Sequence, residues 1–88
     1  MIKIVDARVT GQTLVHLAFS DGSSGNYDPG DLIERDTVMT RPLRDPAFFR
    51  RCFLELGALC WPNGLELSAP SLQRKLMEQG ALSCTDAA

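Results

Sequence analysis

The chain has 88 residues, of which 44% are hydrophobic and 23% are charged. This length supplies the core of about one domain and leaves no room for a second, and the composition is typical of a folded protein rather than a disordered one. The formal net charge of −2 argues against a polyanion binder whose whole surface is basic.

The sequence has no pattern typical of a signal segment, a membrane span, a disulfide framework or a zinc site. Charged residues occur within Met1 to Asp6, and no apolar run is long enough for a signal segment or a membrane span, so we expect a cytoplasmic protein with no membrane contact. Cys52, Cys60 and Cys84 are odd in number and lack CxxC spacing, which predicts neither a disulfide framework nor a zinc site. We expect no bound metal and no cofactor.

The N-terminal third has the pattern of a three-stranded meander. Apolar residues between Ile2 and Val9 change phase after Ile4, which predicts a strand with a bulge. Residues 13–19 are apolar on both faces, so this strand should be central and covered on both sides. Asp21-Gly22 predicts a two-residue hairpin with positive φ at both central positions, after which residues 23–28 return antiparallel.

The middle of the chain contains one clear helix start and one ambiguous end. Residues 31–35 can form a helical turn after the break at Pro29. Asp45 as N-cap and Pro46 at the first helical position predict a short helix over 46–51. Residues 49–56 fit both a helical and a strand period, and the pattern alone does not choose between them.

The C-terminal third combines a turn with a helix. Residues 58–61 are apolar enough for a short strand before the tight turn Pro62-Asn63-Gly64. Leu72, Leu76 and Met77 lie on one face of a predicted helix over about 69–79. We predict a single domain over residues 1–80 and a flexible tail over residues 81–88.

Three blocks of residues carry a family resemblance. In order they are Phe19-Ser20-Asp21-Gly22 with Tyr27-Asp28, then Pro42-Leu43-Arg44-Asp45-Pro46 with Phe49, then Trp61-Pro62-Asn63-Gly64 with Pro70 and Leu72. Over about residues 2–76 the chain resembles the bacterial family known as domain of unknown function 2442. The resemblance implies a strand over residues 52–56 that pairs with residues 58–61. Family members often have a polar residue such as Asp after the glycine block, where this chain has residues 65–67, Leu-Glu-Leu.

The predicted fold class is therefore α+β. We expect a small antiparallel sheet of about five strands, a short middle helix and a C-terminal helix. The resemblance also implies a setting, because members of the family are similar to components of bacterial toxin–antitoxin operons.

Catalysis would have to depend on His16, the single histidine. Its neighbours on the same face of the strand are Leu14 and Ala18, which favours a structural histidine against the helix layer. A small enzyme centred on His16 and Asp28 is the least favoured interpretation, because the sequence provides no nucleophile at a recognisable spacing. We predict no catalytic residues.

Trp61 and Asn63, at the tight turn, have two interpretations. An aromatic residue at a turn either closes the core or presents a rigid anchor to a partner. Core closure is favoured for the only tryptophan of so small a domain. Trp61 and Asn63 are nevertheless retained as candidate partner-binding residues.

Arginines are concentrated in one segment. Between residues 34 and 51 there are five arginines and three acidic residues, whereas the rest of the chain has four cationic and eight acidic residues. Such a patch can contact an acidic protein surface or nucleic-acid phosphates, since the guanidinium fork suits both, or it is a solvated face with local ion pairs. The candidate contacts are Arg41, Arg44, Arg50 and Arg51.

These observations predict a non-enzymatic protein-binding module. Its expected partner is a protein, with an operon-encoded toxin as a candidate. An open sheet edge would also allow the chain to form a homo-oligomer. The alternative is a nucleic-acid-binding accessory protein that uses the arginine-rich segment 35–51.

Overall fold

The structure is a computed structural model that describes residues 2–35 and 37–84. Seven strands, three α-helices and one 3₁₀ helix make up this part of the chain. In chain order they are β1 (Ile4–Val9), β2 (Val15–Phe19), β3 (Ser23–Tyr27), α1 (Gly30–Arg35), the 3₁₀ helix (Arg41–Arg44), α2 (Pro46–Phe49), β4 (Phe53–Glu55), β5 (Ala58–Cys60), β6 (Glu66–Leu67), α3 (Ala69–Glu78) and β7 (Leu82–Cys84).

The strands form two antiparallel sheets. One has four strands in the order β1-β2-β3-β7, and the other has three in the order β4-β5-β6. The predicted α+β class, the antiparallel pairing and the C-terminal helix are confirmed. The described strands number seven rather than about five, and they are divided between two sheets rather than joined in one.

The predicted bulge in β1 is present. Ile4 pairs with Phe19 and Asp6 pairs with Ala18, so Val5 is the extra residue. The bulge lets Ile4 enter the core, with 3% of its surface exposed, while Val5 is 60% exposed. The change of phase in the sequence therefore reports a real change in which side chains face inward.

The turn between β2 and β3 differs from the prediction. The Gly22 N–H donates to the Phe19 carbonyl at 3.1 Å, and positive φ occurs at Gly22 but not at Asp21. Asp21 instead accepts hydrogen bonds through Oδ1 from the backbone N–H and the hydroxyl of Ser23, at 3.0 and 2.6 Å. The side chain of Asp21 thus stabilises a turn in which only the glycine adopts the left-handed region.

The central position of β2 is confirmed, but only one of its faces is fully buried and the other is partly covered. Leu17 is fully buried on one face of the sheet, where it pairs with Gly25 of β3. Helix α3 packs against this face, since its Leu76 side chain lies 3.2 Å from the position that a Cβ atom on Gly25 would occupy. His16 points to the other face and is only half-buried. The helix layer therefore lies on the face opposite His16.

The middle segment begins as its sequence predicts. The Asp45 side chain accepts from the Ala47 N–H at 3.0 Å, with Pro46 in the first helical turn. Helix α2 ends at Phe49 rather than residue 51, because the Arg51 N–H bonds the Phe48 carbonyl in a tighter turn. The strand that the family resemblance implies is confirmed as β4, which pairs with β5.

The C-terminal region contains a strand where a tail was predicted. After α3 the Ala81 N–H donates to the Leu76 carbonyl at 2.8 Å, which turns the chain back so that Leu82–Cys84 pair with β3. The remaining residues of the predicted tail, 85–88, lie outside the described residues. None of the helices in the described part of the chain has the length and apolar character needed to cross a membrane.

One core joins the two sheets. The Ile4 N–H donates to the Gly57 carbonyl at 2.9 Å, which links β1 to the β4–β5 hairpin. A single cluster of buried side chains extends from the four-stranded sheet to the three-stranded sheet and to α3. Its members are Ile4, Val15, Leu17, Phe19, Tyr27, Leu43, Phe49, Leu59, Trp61, Ala69, Leu72 and Leu76.

Candidate interaction surface

The arginine segment, residues 41–51, is a sequence of short turns anchored by two buried side chains. Leu43 and Phe49 are fully buried, and the four arginines predicted as contacts are all exposed. Because apolar anchors alternate with arginines in a run of 3₁₀ helix, cap and α2, the backbone holds the guanidinium groups on the outside of the domain. The local fold thus presents this charge without burying any of it.

Trp61 fixes one end of the arginine segment from inside the protein. Its Nε1–H donates to the Phe49 carbonyl at 3.1 Å, and the two rings lie 5.7 Å apart at 39°. Only 1% of Trp61 is exposed, so the predicted core closure is confirmed and the side chain has almost no accessible surface with which to contact a partner. Its contribution is to hold α2 at the point where Arg50 and Arg51 follow.

Asn63 fixes the other end. Its Nδ2–H donates to the Met39 carbonyl at 3.0 Å, and its Oδ1 accepts from the Leu65 N–H at 3.2 Å. The turn is completed by Gly64, which adopts a φ of +93° and whose N–H donates to the Trp61 carbonyl. Both ends of the Asn63 amide are used within the protein, so the residue braces the chain two residues before Arg41.

A loop of four residues leads into the arginine segment and was missed by sequence reasoning. Thr37 and Thr40 close this loop through their hydroxyl groups, 2.9 Å apart, and the Thr37 N–H donates to the Thr40 hydroxyl at 3.1 Å. Val38 and Met39 at its tip are 82% and 39% exposed. Two adjacent apolar residues in a connection otherwise composed of polar residues and arginine were the available signal.

The four predicted arginines lie on a short stretch of chain that the tight turn holds near both ends, through Asn63 on Met39 and Trp61 on Phe49. Arg44 reaches back to α1, where its Nη2–H donates to the Ile33 carbonyl at 3.4 Å. Arg41 follows the braced loop, and Arg50 and Arg51 follow the Phe49 anchor. Trp61 and Asn63, the two residues of the tight turn that were predicted as contacts, hold this segment through side-chain hydrogen bonds to Phe49 and Met39.

His16 and Asp28, the residues of the enzymatic alternative, form hydrogen bonds with different partners. His16 Nδ1 lies 3.0 Å from the Asn26 Oδ1 on the outward face of the sheet. Asp28 accepts through Oδ1 from the Gly30 N–H at 3.0 Å, at the start of α1. Each side chain therefore has its own hydrogen-bond partner, and the partner of the His16 ring is an amide rather than a carboxylate. Among the described residues, no three His, Cys, Asp or Glu side chains are grouped as metal ligands would be.

The fold and this surface define a small α+β domain that displays a braced basic segment. The model of the family described as protein of unknown function DUF2442 matches residues 4–78, and the chain belongs to that family. No curated protein and no solved structure matches the chain.

Proposed function

We propose that this protein is a non-enzymatic protein-binding module that recognises an acidic segment of a partner protein. The contact surface consists of the loop tip, Val38 and Met39, together with the exposed guanidinium groups of Arg41, Arg50 and Arg51. The observation that carries the proposal is the bracing of this surface at both ends by the same turn, through Asn63 on Met39 and Trp61 on Phe49.

Such a surface suits protein recognition for two physical reasons. Interfaces concentrate binding energy in a few apolar or arginine side chains surrounded by weaker contacts. A loop that is already ordered loses less conformational entropy on binding than a flexible one. Val38 stabilises no core, since 82% of it is exposed, yet its backbone is held by threonine hydroxyl hydrogen bonds on both sides.

The resemblance to proteins of toxin–antitoxin operons supports a more specific proposal. We propose that this partner is a toxin encoded beside this protein, in the same cytoplasm. A toxin with an acidic patch would be complementary to the arginine segment.

A nucleic-acid-binding accessory protein is the second candidate. It is favoured by the exposure of all five arginines of the segment 35–51, because arginine recognises phosphate oxygens through two parallel hydrogen bonds. Phosphate contacts release counterions, so only this candidate requires affinity to fall steeply with salt.

The experiment begins with capture of partners by the tagged protein, with and without nuclease, followed by binding measurements with the recovered partner. Arg50→Glu and Val38→Asp should each lower affinity for a protein partner about tenfold, equivalent to about 1.4 kcal/mol. Arg74→Glu is the matched control, because Arg74 is also exposed but lies on α3, and it should leave affinity unchanged.

The outcomes separate the candidates. A protein partner that survives nuclease treatment and loses affinity only with the first two variants supports the proposal. Nuclease-sensitive material with a steep salt dependence supports the second candidate instead. Equal losses for Arg50→Glu and Arg74→Glu contradict a specific surface and indicate general charge attraction.

Self-association through a strand edge is a separate proposal. The four-stranded sheet has β1 and β7 at its edges, and the three-stranded sheet has β4 and β6, and an edge strand presents backbone groups that can pair with another strand. Light scattering at increasing protein concentration tests it, and a constant monomer mass rejects it.

A further inference from the structure

The three-stranded sheet has an outer face that carries different chemistry from the arginine segment. Along its strands, Leu54, Leu59 and Leu67 point toward the core. The alternate residues point away from it, so Phe53, Cys60 and Glu66 form one row across the sheet through the pairs Phe53–Cys60 and Cys60–Glu66. We call this row, with Glu55, the outer face.

A shallow cavity lies on the outer face. Its volume is about 220 Å³, and its walls include Phe53, Glu55, Cys60, Leu65 and Glu66. Pockets for small-molecule ligands usually measure about 300–1,000 Å³, so this cavity is sized for one side chain rather than for a metabolite. Phe53, at its margin, is 43% exposed.

The electrostatics of the cavity are one-sided. Glu55 and Glu66 come from the two edge strands, on either side of Cys60 on the middle strand. Both carboxylates line the cavity. Burial, and then the carboxylates of Glu66 and Glu55, raise the pKa of the Cys60 thiol. Among the described residues that line the cavity, none is cationic.

These features together select the occupant. A guanidinium group can stack on the exposed ring of Phe53 while it donates to a carboxylate, and its planar shape allows both contacts at once. The apolar residues on either side of such an arginine would contact Phe53 and Leu65, which line the cavity. An acidic or neutral side chain would leave the carboxylates uncompensated.

We propose that the outer face is a second docking surface, which accepts an arginine flanked by apolar residues from a segment of another protein. The inference does not depend on the function proposed for the arginine segment, because the two surfaces have opposite charge and share no residues. The chain would then be able to hold two different segments, one acidic and one basic.

The test uses three capped tripeptides, Leu-Arg-Leu, Leu-Gln-Leu and Leu-Glu-Leu, added at up to millimolar concentration to the isotope-labelled full chain. Backbone amide shifts in the NMR spectrum report both the site and the affinity. We expect saturable shifts at Glu55, Cys60 and Glu66 with Leu-Arg-Leu, and a dissociation constant at least about tenfold higher for Leu-Gln-Leu.

Variants assign the effect to the cavity. Glu66→Gln should raise the dissociation constant for Leu-Arg-Leu several-fold, whereas Glu78→Gln, the same charge change on α3, should not. The spectrum of each variant shows directly whether it is folded. Phe53→Leu should also weaken binding while it keeps an apolar side chain at the margin.

Three results would overturn the inference. The first is the absence of saturable shifts with Leu-Arg-Leu, and the second is equal affinity for the three peptides. The third is a concentration-dependent increase in molecular mass that Glu66→Gln abolishes, since that result would assign the cavity to a second copy of the chain rather than to another protein.

Discussion

Trp61→Phe is the substitution that most directly tests how the structure supports its basic surface. It keeps an aromatic ring beside Phe49 but removes the indole N–H that donates to the Phe49 carbonyl at 3.1 Å. The hydrogen bond spans 12 residues of sequence and joins the tight turn to the end of α2. Its loss should therefore affect both the stability of the domain and the order of the residues after Phe49.

The cost of Trp61→Phe has three parts. A hydrogen bond contributes about 0.5–1.5 kcal/mol, and the lower half of this range applies because the Phe49 carbonyl also accepts from the Cys52 N–H at 3.3 Å. An unfilled volume of about 40 Å³ adds about 1 kcal/mol at about 24 cal/mol per Å³. The apolar area that is no longer buried adds about 1 kcal/mol more. The expected loss of unfolding free energy is about 2–3 kcal/mol, which lowers Tm by about 10–20 °C.

The assay is urea unfolding followed by far-ultraviolet circular dichroism, because Trp61 is the only tryptophan and its fluorescence disappears with the substitution. Hydrogen exchange at the Arg50 and Cys52 amides reports the local effect, and we expect it to accelerate more than exchange in β2. Phe53→Leu, at a ring that is 43% exposed, is the control and should cost less. A loss below about 1 kcal/mol for Trp61→Phe, or exchange unchanged at both amides, would refute the reasoning.

Three other outcomes are expected. Leu56 has a φ of +52° in the hairpin turn and is 94% exposed, so Leu56→Asn should raise the unfolding free energy by about 1 kcal/mol in urea denaturation. Hydrogen bonds from Ser23 and then Gln73 lower the pKa of Asp21. The ionised Asp21 carboxylate therefore stabilises the fold above about pH 4, and this stabilisation is lost as pH falls through the folded pKa. Gln73→Leu should raise the pKa of Asp21 in an NMR titration. The Cys60 thiol, whose pKa is raised by burial and by neighbouring carboxylates, should react with a disulfide reagent at neutral pH much more slowly in the folded protein than in urea, as measured by mass spectrometry of the labelled residue.

Each of these outcomes has its own control. Leu56→Ala removes the exposed apolar side chain without relieving the left-handed backbone, so an equal gain from Leu56→Ala and Leu56→Asn would contradict the backbone explanation. An unchanged Asp21 pKa in Gln73→Leu would show that the hydrogen bond of 2.8 Å between the two side chains does not act on the carboxylate. Rapid labelling of Cys60 in the folded protein would contradict its burial.

The comparison of sequence with structure is clearest where a signal is local. The bulge at Val5, the cap at Asp45 and the helix from Ala69 each depend on residues a few positions apart, and each is present. Backbone geometry and side-chain caps are decided by neighbours in sequence, so a local pattern is sufficient to predict them. The exposure of the arginines was also predictable from the sequence, since an arginine side chain is almost never fully buried unless it is paired.

Signals that depended on partners elsewhere in the chain were less informative. The outward direction of His16 depends on which face of β2 receives α3, and α3 begins more than fifty residues later. The role of Asn63 depends on the Met39 carbonyl, 24 residues away. The sequence singled out Trp61 and Asn63 as residues of interest, but only the tertiary structure showed that their side chains bond Phe49 and Met39 at the two ends of the arginine segment.

By itself the sequence determined the α+β class, the order of most elements, the exposed arginines and the buried tryptophan, because hydrophobic period, caps and charge act over short distances. The tertiary structure decided that the strands divide into two sheets, that Leu82–Cys84 extend one of them, and that one turn braces both ends of the arginine segment. It also decided that Glu55 and Glu66 flank one cavity. Each of these features depends on which backbone and side-chain groups pair across long distances in the sequence when the common core is buried. Such pairing depends on contacts throughout the chain and not on neighbours in sequence alone.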